Sequence, residues 1–176
     1  MFYSAGILPY TFINNQLYFL MGRSSYDGRW SDFGGGMEKC DKNNPQATAI
    51  REFYEETIGA VLDLQNLKYI FKNKNYICVN GSTMKGRDYH MYLIHVNYKN
   101  YNTGFKKNLQ FCTYVHLPQK YKEMNEIRWF SLNSITNNPS VISMRPEFLK
   151  TFDTNRDTIL QSIQKAQQSR HASIVG

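Results

Sequence analysis

Apolar and polar residues alternate along much of the chain with the period of β-strands. Residues 4–12 and 16–21 are rich in apolar, strand-favouring side chains, and Asn14-Asn15 between them favours a turn, which together predict a β-hairpin. Further strands are predicted at residues 68–72, 76–79, 90–96 and 127–132. The segment 90–96 is apolar on both of its faces, which is typical of a strand at the centre of a sheet.

Helical patterns occur in two parts of the chain. A helix is predicted to begin at Asn44-Pro45, because asparagine caps helices well and proline at the first helical position loses no hydrogen bond. Its apolar side chains recur at a spacing of about 3.6 residues as far as Ile58, and Gly59 is a natural end. A second, amphipathic helix is predicted over residues 146–168.

Two segments are expected to lack regular structure. Residues 23–36 contain several glycines and aspartates and are expected to form a loop. Residues 169–176 are expected to form a flexible C-terminal tail. The mixture of strands and helices places the chain in the α/β or α+β class.

The composition is that of a folded domain. The 176 residues fit one domain, and 41% of them are hydrophobic, which is enough to form a core. No apolar run approaches the ~20 residues that a membrane helix needs, and the first residues lack the pattern of a secretory signal. The three cysteines show no CxxC spacing, which disfavours a disulfide scaffold or a zinc ribbon. We therefore expect a cytoplasmic protein without a membrane partner.

Charge is distributed unevenly along the chain. There are 21 basic and 14 acidic residues, for a net charge of +7. Residues 38–56 contain five acidic side chains, whereas residues 64–122 contain ten basic side chains and one acidic one. An acidic cluster beside a basic surface suits a cation-dependent site for a polyanion, although a basic face that serves only solubility would give the same counts.

The acidic residues of the first predicted helix form the strongest chemical pattern. Glu52, Glu55 and Glu56 are three or four residues apart, so their carboxylates share one helix face. Carboxylates repel one another at this spacing unless a cation lies among them, and oxygen ligands without histidine or cysteine favour Mg²⁺ or Mn²⁺. Arg51 lies four residues before Glu55 and can orient it. A solvated acidic face remains the alternative interpretation.

The segments around this helix resemble a known enzyme family. The strings WSDFGGGME at residues 30–38 and REFYEE at 51–56 resemble the signature G-x5-E-x7-R-E-U-x-E-E-x-G-U of Nudix hydrolases, in which U is a bulky aliphatic residue. GGGME is also similar to the string of diphosphoinositol polyphosphate phosphohydrolases, which accept dinucleoside polyphosphates as well. The resemblance implies the α+β Nudix fold, an α/β/α sandwich with a mixed β-sheet, as a single domain over residues 1–168.

The sequence departs from this signature at two places. Asp41 stands where the signature has its first glutamate, and nine residues instead of seven separate it from Arg51. Two residues instead of one separate Glu56 from Gly59. The spacing among the three later glutamates is unchanged, so the departures concern mainly the role of Asp41.

The resemblance implies hydrolysis of a diphosphate linkage, X–P–O–P–Y, by water that attacks phosphorus with the help of Mg²⁺ or Mn²⁺. The implied metal ligands are Glu52, Glu55, Glu56 and the carbonyl of Gly36. The implied catalytic residues are Glu52, Arg51, Glu55 and Glu123. Glu55 shares the metal ligation or acts as the base, and Glu123 is a further ligand or a base. Glu126 is the alternative to Glu123, since both glutamates precede the predicted strand that carries Trp129.

The substrate is less well defined by the sequence. Basic residues are expected to hold its phosphate groups, and the candidates are Arg23, Arg29, Lys72, Lys74, Lys85 and Arg87. A small-molecule polyphosphate is the expected substrate, and capped RNA, cleaved in a decapping reaction, is an alternative. A Nudix-like module that binds nucleotide or RNA without catalysis is the second class of function, because a fold does not guarantee activity.

Overall fold

The computed structural model describes the backbone of residues 2–175 and the side chains of residues 2–138 and 141–169. Within these residues the chain forms a seven-stranded mixed sheet. The strands are β1 (Tyr3–Ile13), β2 (Gln16–Ser24), β3 (Trp30–Ser31), β4 (Phe33–Gly36), β5 (Ile77–Ser82), β6 (Asp88–His95) and β7 (Met124–Ser131). The helices are α1 (Pro45–Thr57), α2 (Leu64–Lys72), α3 (Tyr101–Tyr114), α4 (Leu132–Asn137), α5 (Pro139–Ile142), α6 (Pro146–Thr154) and α7 (Arg156–Val175).

The strand order in the sheet is β3-β2-β1-β6-β5, and β4 pairs with β1 while β7 pairs with β2. β1 and β6 run parallel, and the other pairs are antiparallel. The predicted hairpin is confirmed as β1 and β2. Its turn residues Asn14 and Asn15 both have positive φ angles, 49° and 61°, which matches the turns that twisted two-stranded ribbons favour.

Helices cover both faces of the sheet. One apolar layer lies between the sheet and α1, α2 and α3, and its buried side chains include Phe33, Phe53, Leu67, Phe71 and Phe105. The other lies between the sheet and helices α6 and α7, and it includes Phe148, Phe152, Ile159 and Ile163. The molecule is therefore an α/β/α sandwich with a mixed sheet, as the resemblance implied.

α1 begins where the sequence predicts. Asn44 accepts a hydrogen bond from the amide of Gln46 at 3.0 Å, and Pro45 is the first helical residue. The helix ends at Thr57, because Ile58 already adopts a left-handed conformation with φ of 52°. The predicted helix, which extended to Ile58 with Gly59 as its stop, is thus one residue too long.

The prediction of a strand at residues 68–72 is wrong, because these residues belong to α2. The side chain of Asp63 caps this helix by accepting a hydrogen bond from the amide of Asn66 at 2.7 Å. Leu67 and Phe71, four residues apart, are both buried. Polar and apolar residues alternate in KYIFK as they would in a strand. The N-cap Asp63 and the buried pair Leu67 and Phe71 nevertheless stabilise a helix.

Two further predictions need correction. The expected loop at residues 23–36 contains β3 and β4. The helix predicted at 146–168 is interrupted at Asn155, whose side-chain amide donates to the carbonyl of Asn80 in β5 at 2.9 Å. The backbone of the expected tail is helical through Val175, and residue 176 lies outside the described residues.

α3 was not predicted, since only Phe105 and Cys112 of its side chains are fully buried and its apolar periodicity is weak. Across residues 2–175, no helix combines the length and the apolar character that crossing a membrane requires.

The structure of α2 predicts that two of its leucines contribute unequally to the free energy of unfolding. Leu67→Ala is expected to lower the free energy of unfolding by roughly 2–5 kcal/mol, since Leu67 is fully buried. Leu64→Ala, in the same helix, is the matched control and should cost far less, because Leu64 is 37% exposed. Urea unfolding of both variants measures the difference, and equal losses would contradict the packing of α2.

Candidate active site

The carboxylates of α1 face one cavity. Glu52, Glu55, Glu56 and Glu123 line a cavity of about 270 Å³ together with Arg51. Glu55 and Glu56 are only 6% and 5% exposed. The structure therefore brings together the acidic residues that the sequence analysis singled out on α1 with one from a distant part of the chain.

Glu123 reaches this cavity from the segment that precedes β7. It follows the 3₁₀ turn Gln119–Lys122, and its carbonyl accepts a hydrogen bond from the amide of Ser25 at 2.7 Å. Glu126 does not line the cavity and pairs with Arg128. Of the two glutamates considered before the strand, Glu123 is the one that joins the acidic cluster.

The glycine run lets β4 approach both α1 and β1 closely. A Cβ atom at Gly35 would lie 2.5 Å from Oε1 of Glu52, and one at Gly34 would lie 2.6 Å from the Cα of Gly6. Both distances are too short for any side chain. Glycine at these positions therefore allows the Glu52 carboxylate to lie directly against the backbone of β4.

Asp41 holds Arg51. Its Oδ1 accepts from Nε of Arg51 at 3.0 Å and its Oδ2 accepts from Nη2 at 2.9 Å, which is a two-point contact. Burial alone would raise the pKa of Asp41, but Arg51, the amide of Glu38 and the hydroxyl of Thr48 lower it to about 2. Asp41 does not line the acidic cavity, so in spite of the altered spacing it acts on the site through Arg51.

Arg51 in turn connects the acidic residues. Its Nη1 donates to Glu52 at 2.9 Å and to Glu55 at 3.3 Å, and its Nη2 donates to the carbonyl of Gly36 at 2.9 Å. The other oxygen of Glu55 accepts from Nζ of Lys120. Both oxygens of Glu55 therefore have cationic partners, and the Gly36 carbonyl already accepts one hydrogen bond.

Glu52 and Glu56 have fewer cationic partners than Glu55 has. Burial raises the pKa of Glu52 to about 7 in spite of Arg51, with Glu55 and Glu123 adding to the increase. Burial raises the pKa of Glu56 well above its usual value, and the charges of Glu52 and Asp32 raise it further. Oε2 of Glu56 is buried without a hydrogen-bond partner among the described residues.

These observations fit a site for a divalent cation. A buried oxygen without a partner beside further carboxylates is stabilised by a positive ion, and oxygen donors alone are what Mg²⁺ and Mn²⁺ prefer. Among the described side chains, those of residues 2–138 and 141–169, no three carboxylate, histidine or cysteine groups converge on one point. Arg51 and Lys120 hold the oxygens of Glu55 in ion pairs.

A second, basic cavity adjoins the acidic one. It measures about 420 Å³, and Gly34, Gly35 and Arg145 line both cavities. Four cationic side chains line it, those of Arg29, Lys85, Arg87 and Arg145, against three carboxyl groups, those of Asp27, Asp32 and Glu147. Of the predicted substrate-binding residues, the structure therefore brings Arg29, Lys85 and Arg87 next to the acidic cluster.

The other predicted substrate-binding residues lie elsewhere. Lys72 ends α2 and Lys74 follows it, and neither lines the two cavities. Nε of Arg23 donates to the carbonyl of Gly28 at 3.1 Å, and its guanidinium lies 3.9 Å from Glu126. These three side chains are therefore not part of the proposed site.

Arg145 is a functional candidate that the sequence analysis missed. Its amide donates to the carbonyl of Trp30 at 2.9 Å, and the amide of Trp30 donates to the carbonyl of Ser143 at 3.0 Å. This pair of bonds fixes Arg145 at the border of the two cavities, with Asp27 at 3.8 Å. Its only sequence signal is its place before Pro146, which does not reveal contacts with the distant β3.

A buried polar pair underlies the basic cavity and was also missed. The hydroxyl of Tyr89 donates to Oδ2 of Asp32, and both residues line the cavity. Burial raises the pKa of Asp32 to about 6, although Tyr89 and Arg145 act in the opposite direction. The pair links β6 to the glycine-rich segment, so it helps to hold β4 in place.

The contact between Asp41 and Arg51 predicts a pH-dependent stability. Asp41→Asn is expected to lower the free energy of unfolding at neutral pH by about 2 kcal/mol, because the folded-state pKa is about 2 instead of 3.8. A lowered pKa stabilises the fold above pH 3.8, and the contribution disappears as the pH falls through about 2.

Denaturant unfolding at neutral and acidic pH measures this effect. The difference between the wild-type protein and Asp41→Asn should shrink as the pH falls through that range. Asp88→Asn is the control, because Asp88 is exposed at the start of β6. An equal loss in both variants would contradict the role given to Asp41.

Solved structures share this fold at low sequence identity. The C-terminal domain of mouse MUTYH, solved in complex with human PCNA, is 11% identical, with a TM-score of 0.53 over 90% of this chain and 89% of that one. The C. elegans Ap4A hydrolase in a binary complex is 15% identical, with a TM-score of 0.49 over 88% of this chain and 98% of that one. The NUDIX domain of Shewanella oneidensis NrtR, complexed with ADP ribose, is 15% identical, with a TM-score of 0.46 over 94% and 86%.

Two comparisons concern the sequence. An uncharacterized protein of Acanthamoeba polyphaga mimivirus is 26% identical over 76% of this chain, which spans 58% of the length of that relative. The profile of the NUDIX domain matches residues 4–152, which is most of the chain. The matched range contains the mixed sheet, the glycine run and the acidic helix, and the chain therefore belongs to the Nudix family.

Proposed function

We propose that the protein is a metal-dependent pyrophosphohydrolase, which cleaves the diphosphate linkage of a nucleotide or another polyphosphate by attack of water at phosphorus. The observation that carries this proposal is the acidic cavity of Glu52, Glu55, Glu56 and Glu123 beside a basic cavity. The first offers oxygen donors for a divalent ion, and the second offers positive charge for phosphate groups. Membership of the Nudix family supports the same reaction.

In this proposal the acidic cavity holds Mg²⁺ or Mn²⁺. Glu52 and Glu56 are the main ligands, and Glu55 shares the ligation. The carbonyl of Gly36 is a further ligand, because a carbonyl that accepts one hydrogen bond from Arg51 has a second lone pair. When bound, such an ion neutralises phosphate charge and lowers the pKa of coordinated water.

The proton of the attacking water needs an acceptor. Glu123 suits this role, because burial and the charge of Glu55 raise its pKa above the usual value while it lines the same cavity. Glu55, for which the family resemblance implied a role as ligand or base, has both oxygens in ion pairs with Arg51 and Lys120. We therefore favour Glu123 as the base and Glu55 as an orienting and ligating residue.

The basic cavity holds the phosphate groups that are not cleaved. Arg29, Lys85 and Arg87 line it, and Arg145 stands where it meets the acidic cavity. A phosphate that enters from the basic cavity would meet Arg145 before it reaches the carboxylates. This arrangement neutralises the substrate from both sides of the linkage that is cleaved.

Removal of a metal ligand provides the first test of this proposal. Glu56→Gln is expected to lower kcat on the order of 100-fold or more, since metal binding supplies several kcal/mol of transition-state stabilisation. The fold should survive, because the substitution replaces a buried carboxyl group, whose Oε2 has no partner among the described residues, with an amide of the same size. EDTA should abolish the activity of the wild-type protein, and added Mg²⁺ or Mn²⁺ should restore it.

The assay is phosphate or nucleotide release from a panel of dinucleoside polyphosphates, inositol pyrophosphates, nucleoside triphosphates and capped RNA. Asp157→Asn is the control, because Asp157 is exposed on α7, away from both cavities. Full activity of Glu56→Gln would refute the ligand assignment. Binding of a member of the panel without turnover would favour the non-catalytic module.

A matched pair of lysine variants tests the basic cavity. Lys85→Gln is expected to raise KM by roughly 10-fold with a smaller effect on kcat, because it removes a phosphate contact away from the bond that is cleaved. Lys72→Gln should leave KM unchanged, since Lys72 does not line the cavity. Steady-state kinetics on the best substrate of the panel measures both values, and equal effects would contradict the placement of the phosphates.

A further inference from the structure

Two cations hold the carboxylate of Glu55, one on each oxygen. Nη1 of Arg51 lies 3.3 Å from Oε2, and Nζ of Lys120 lies 2.5 Å from Oε1. Glu55 itself is buried and lines the acidic cavity, as Lys120 does. A divalent ion that binds Glu55 in this cavity therefore has to share the carboxylate with both cations or replace one of them.

The fold holds Arg51 firmly in place. Besides Glu55 and Glu52, it contacts Asp41 through two hydrogen bonds, of 3.0 Å and 2.9 Å, and the carbonyl of Gly36 through one of 2.9 Å. Its side chain is 14% exposed. Withdrawal of Arg51 would break all of these bonds and leave the buried carboxylate of Asp41 unpaired, which is costly. Arg51 is therefore the fixed partner of Glu55.

Lys120 is held by fewer contacts. Among the described residues its ammonium group makes one ion pair, the one with Glu55, and it lies over the ring of Tyr121, 5.3 Å from the ring centroid. The Lys120 side chain is 42% exposed, and its four-carbon stem is flexible. An ion pair of such an exposed lysine contributes little stability, so rotation of the side chain can move the ammonium group into solvent at small cost.

The backbone beside Lys120 does not need to move for this rotation. The 3₁₀ turn Gln119–Lys122 and the residue after it are held by Ser25, which follows β2. The hydroxyl of Ser25 donates to the carbonyl of Lys122 at 3.0 Å, and its amide donates to the carbonyl of Glu123 at 2.7 Å. Glu123 can therefore keep its place in the acidic cavity while the side chain of Lys120 changes partners.

Repulsion disfavours simultaneous binding of Lys120 and a divalent ion to Glu55. An ammonium group and a metal ion on the same carboxylate oxygen would be about 4 Å apart, and like charges at that distance repel strongly in a partly buried site. Of the two cations on Glu55, the one with a single ion pair and an exposed side chain is the one that can leave.

We propose that Lys120 is a displaceable cation of the acidic cavity, which holds Oε1 of Glu55 and releases it to the divalent ion. The exchange rests on the proposed function, because it requires the metal site in this cavity. Arg51 keeps its contact with the other oxygen, so Glu55 stays oriented during the exchange. Lys120 thus reduces the repulsion among the glutamates and at the same time lowers their affinity for the metal.

Metal affinity tests the exchange without a measurement of activity. Binding of Mn²⁺ is titrated by electron paramagnetic resonance in the absence of substrate. Lys120→Gln is expected to lower the Kd of Mn²⁺ roughly 10-fold, because a charge-assisted hydrogen bond no longer has to be broken. Lys122→Gln is the matched control, since it removes the same charge from the same turn but Lys122 does not line the acidic cavity. Equal affinities of these two variants would overturn the proposal.

Chemical labelling follows the ammonium group itself. Acetic anhydride at limiting concentration acetylates lysines, and mass spectrometry of the peptides gives the rate at each position. Saturating Mn²⁺ should increase the rate at Lys120 of the wild-type protein, because a lysine outside an ion pair loses its proton more readily. The rate at Lys122 should not change. An unchanged rate at Lys120 with Mn²⁺ bound would refute the displacement.

The metal site and the exchange can be distinguished by these measurements. If neither the wild-type protein nor Lys120→Gln binds Mn²⁺, the acidic cavity is not a metal site, and the proposed function fails together with the exchange. If the wild-type protein and both lysine variants bind Mn²⁺ with the same affinity, the metal site stands and only the displacement of Lys120 is refuted.

Discussion

The arrangement of the candidate active site depends on one guanidinium group. Arg51 contacts Asp41 at two points, the Gly36 carbonyl, and the carboxylates of Glu52 and Glu55. These contacts connect β4, the 3₁₀ turn Lys39–Asp41 that precedes α1, and α1 itself. Without this central positive charge, buried carboxylates on adjacent turns of a helix would repel one another and α1 would lose stability.

The candidate site consists of an acidic cavity and a basic cavity, which share part of their lining. In the acidic cavity, burial and then the neighbouring carboxylates raise the pKa values of Glu52 and Glu56. The basic cavity on the other side of the glycine backbone has four cationic side chains. Arg145 borders both cavities, so a positive charge lies where the basic cavity meets the carboxylates. Such a division suits a ligand that is itself highly negative.

Features that depend on neighbours in sequence were predictable. The start of α1 follows from Asn44 and Pro45, and the shared face of its glutamates follows from their spacing alone. The strand prediction at residues 68–72 failed because the cap at Asp63 lies outside the window in which alternation was assessed. α3 was missed because few of its side chains are buried.

Features that depend on distant parts of the chain were not predictable from local pattern. Lys120 reaches Glu55 across 65 positions, and Arg145 is placed by hydrogen bonds to Trp30. The altered spacing before Arg51 put the role of Asp41 in doubt, and only the folded turn shows that its carboxylate still reaches the guanidinium. Patterns in sequence identified the acidic helix, whereas the charges that surround it depend on the tertiary fold.

A residue with a strained backbone conformation follows the last turn of α1. Ile58 is β-branched and has φ of 52°, a conformation that costs L-residues roughly 1–2 kcal/mol. Its carbonyl accepts a hydrogen bond from the side-chain amide of Asn108 in α3 at 2.9 Å. A side-chain hydrogen bond therefore joins α3 to α1 at this strained residue, directly after the turn that bears Glu55 and Glu56.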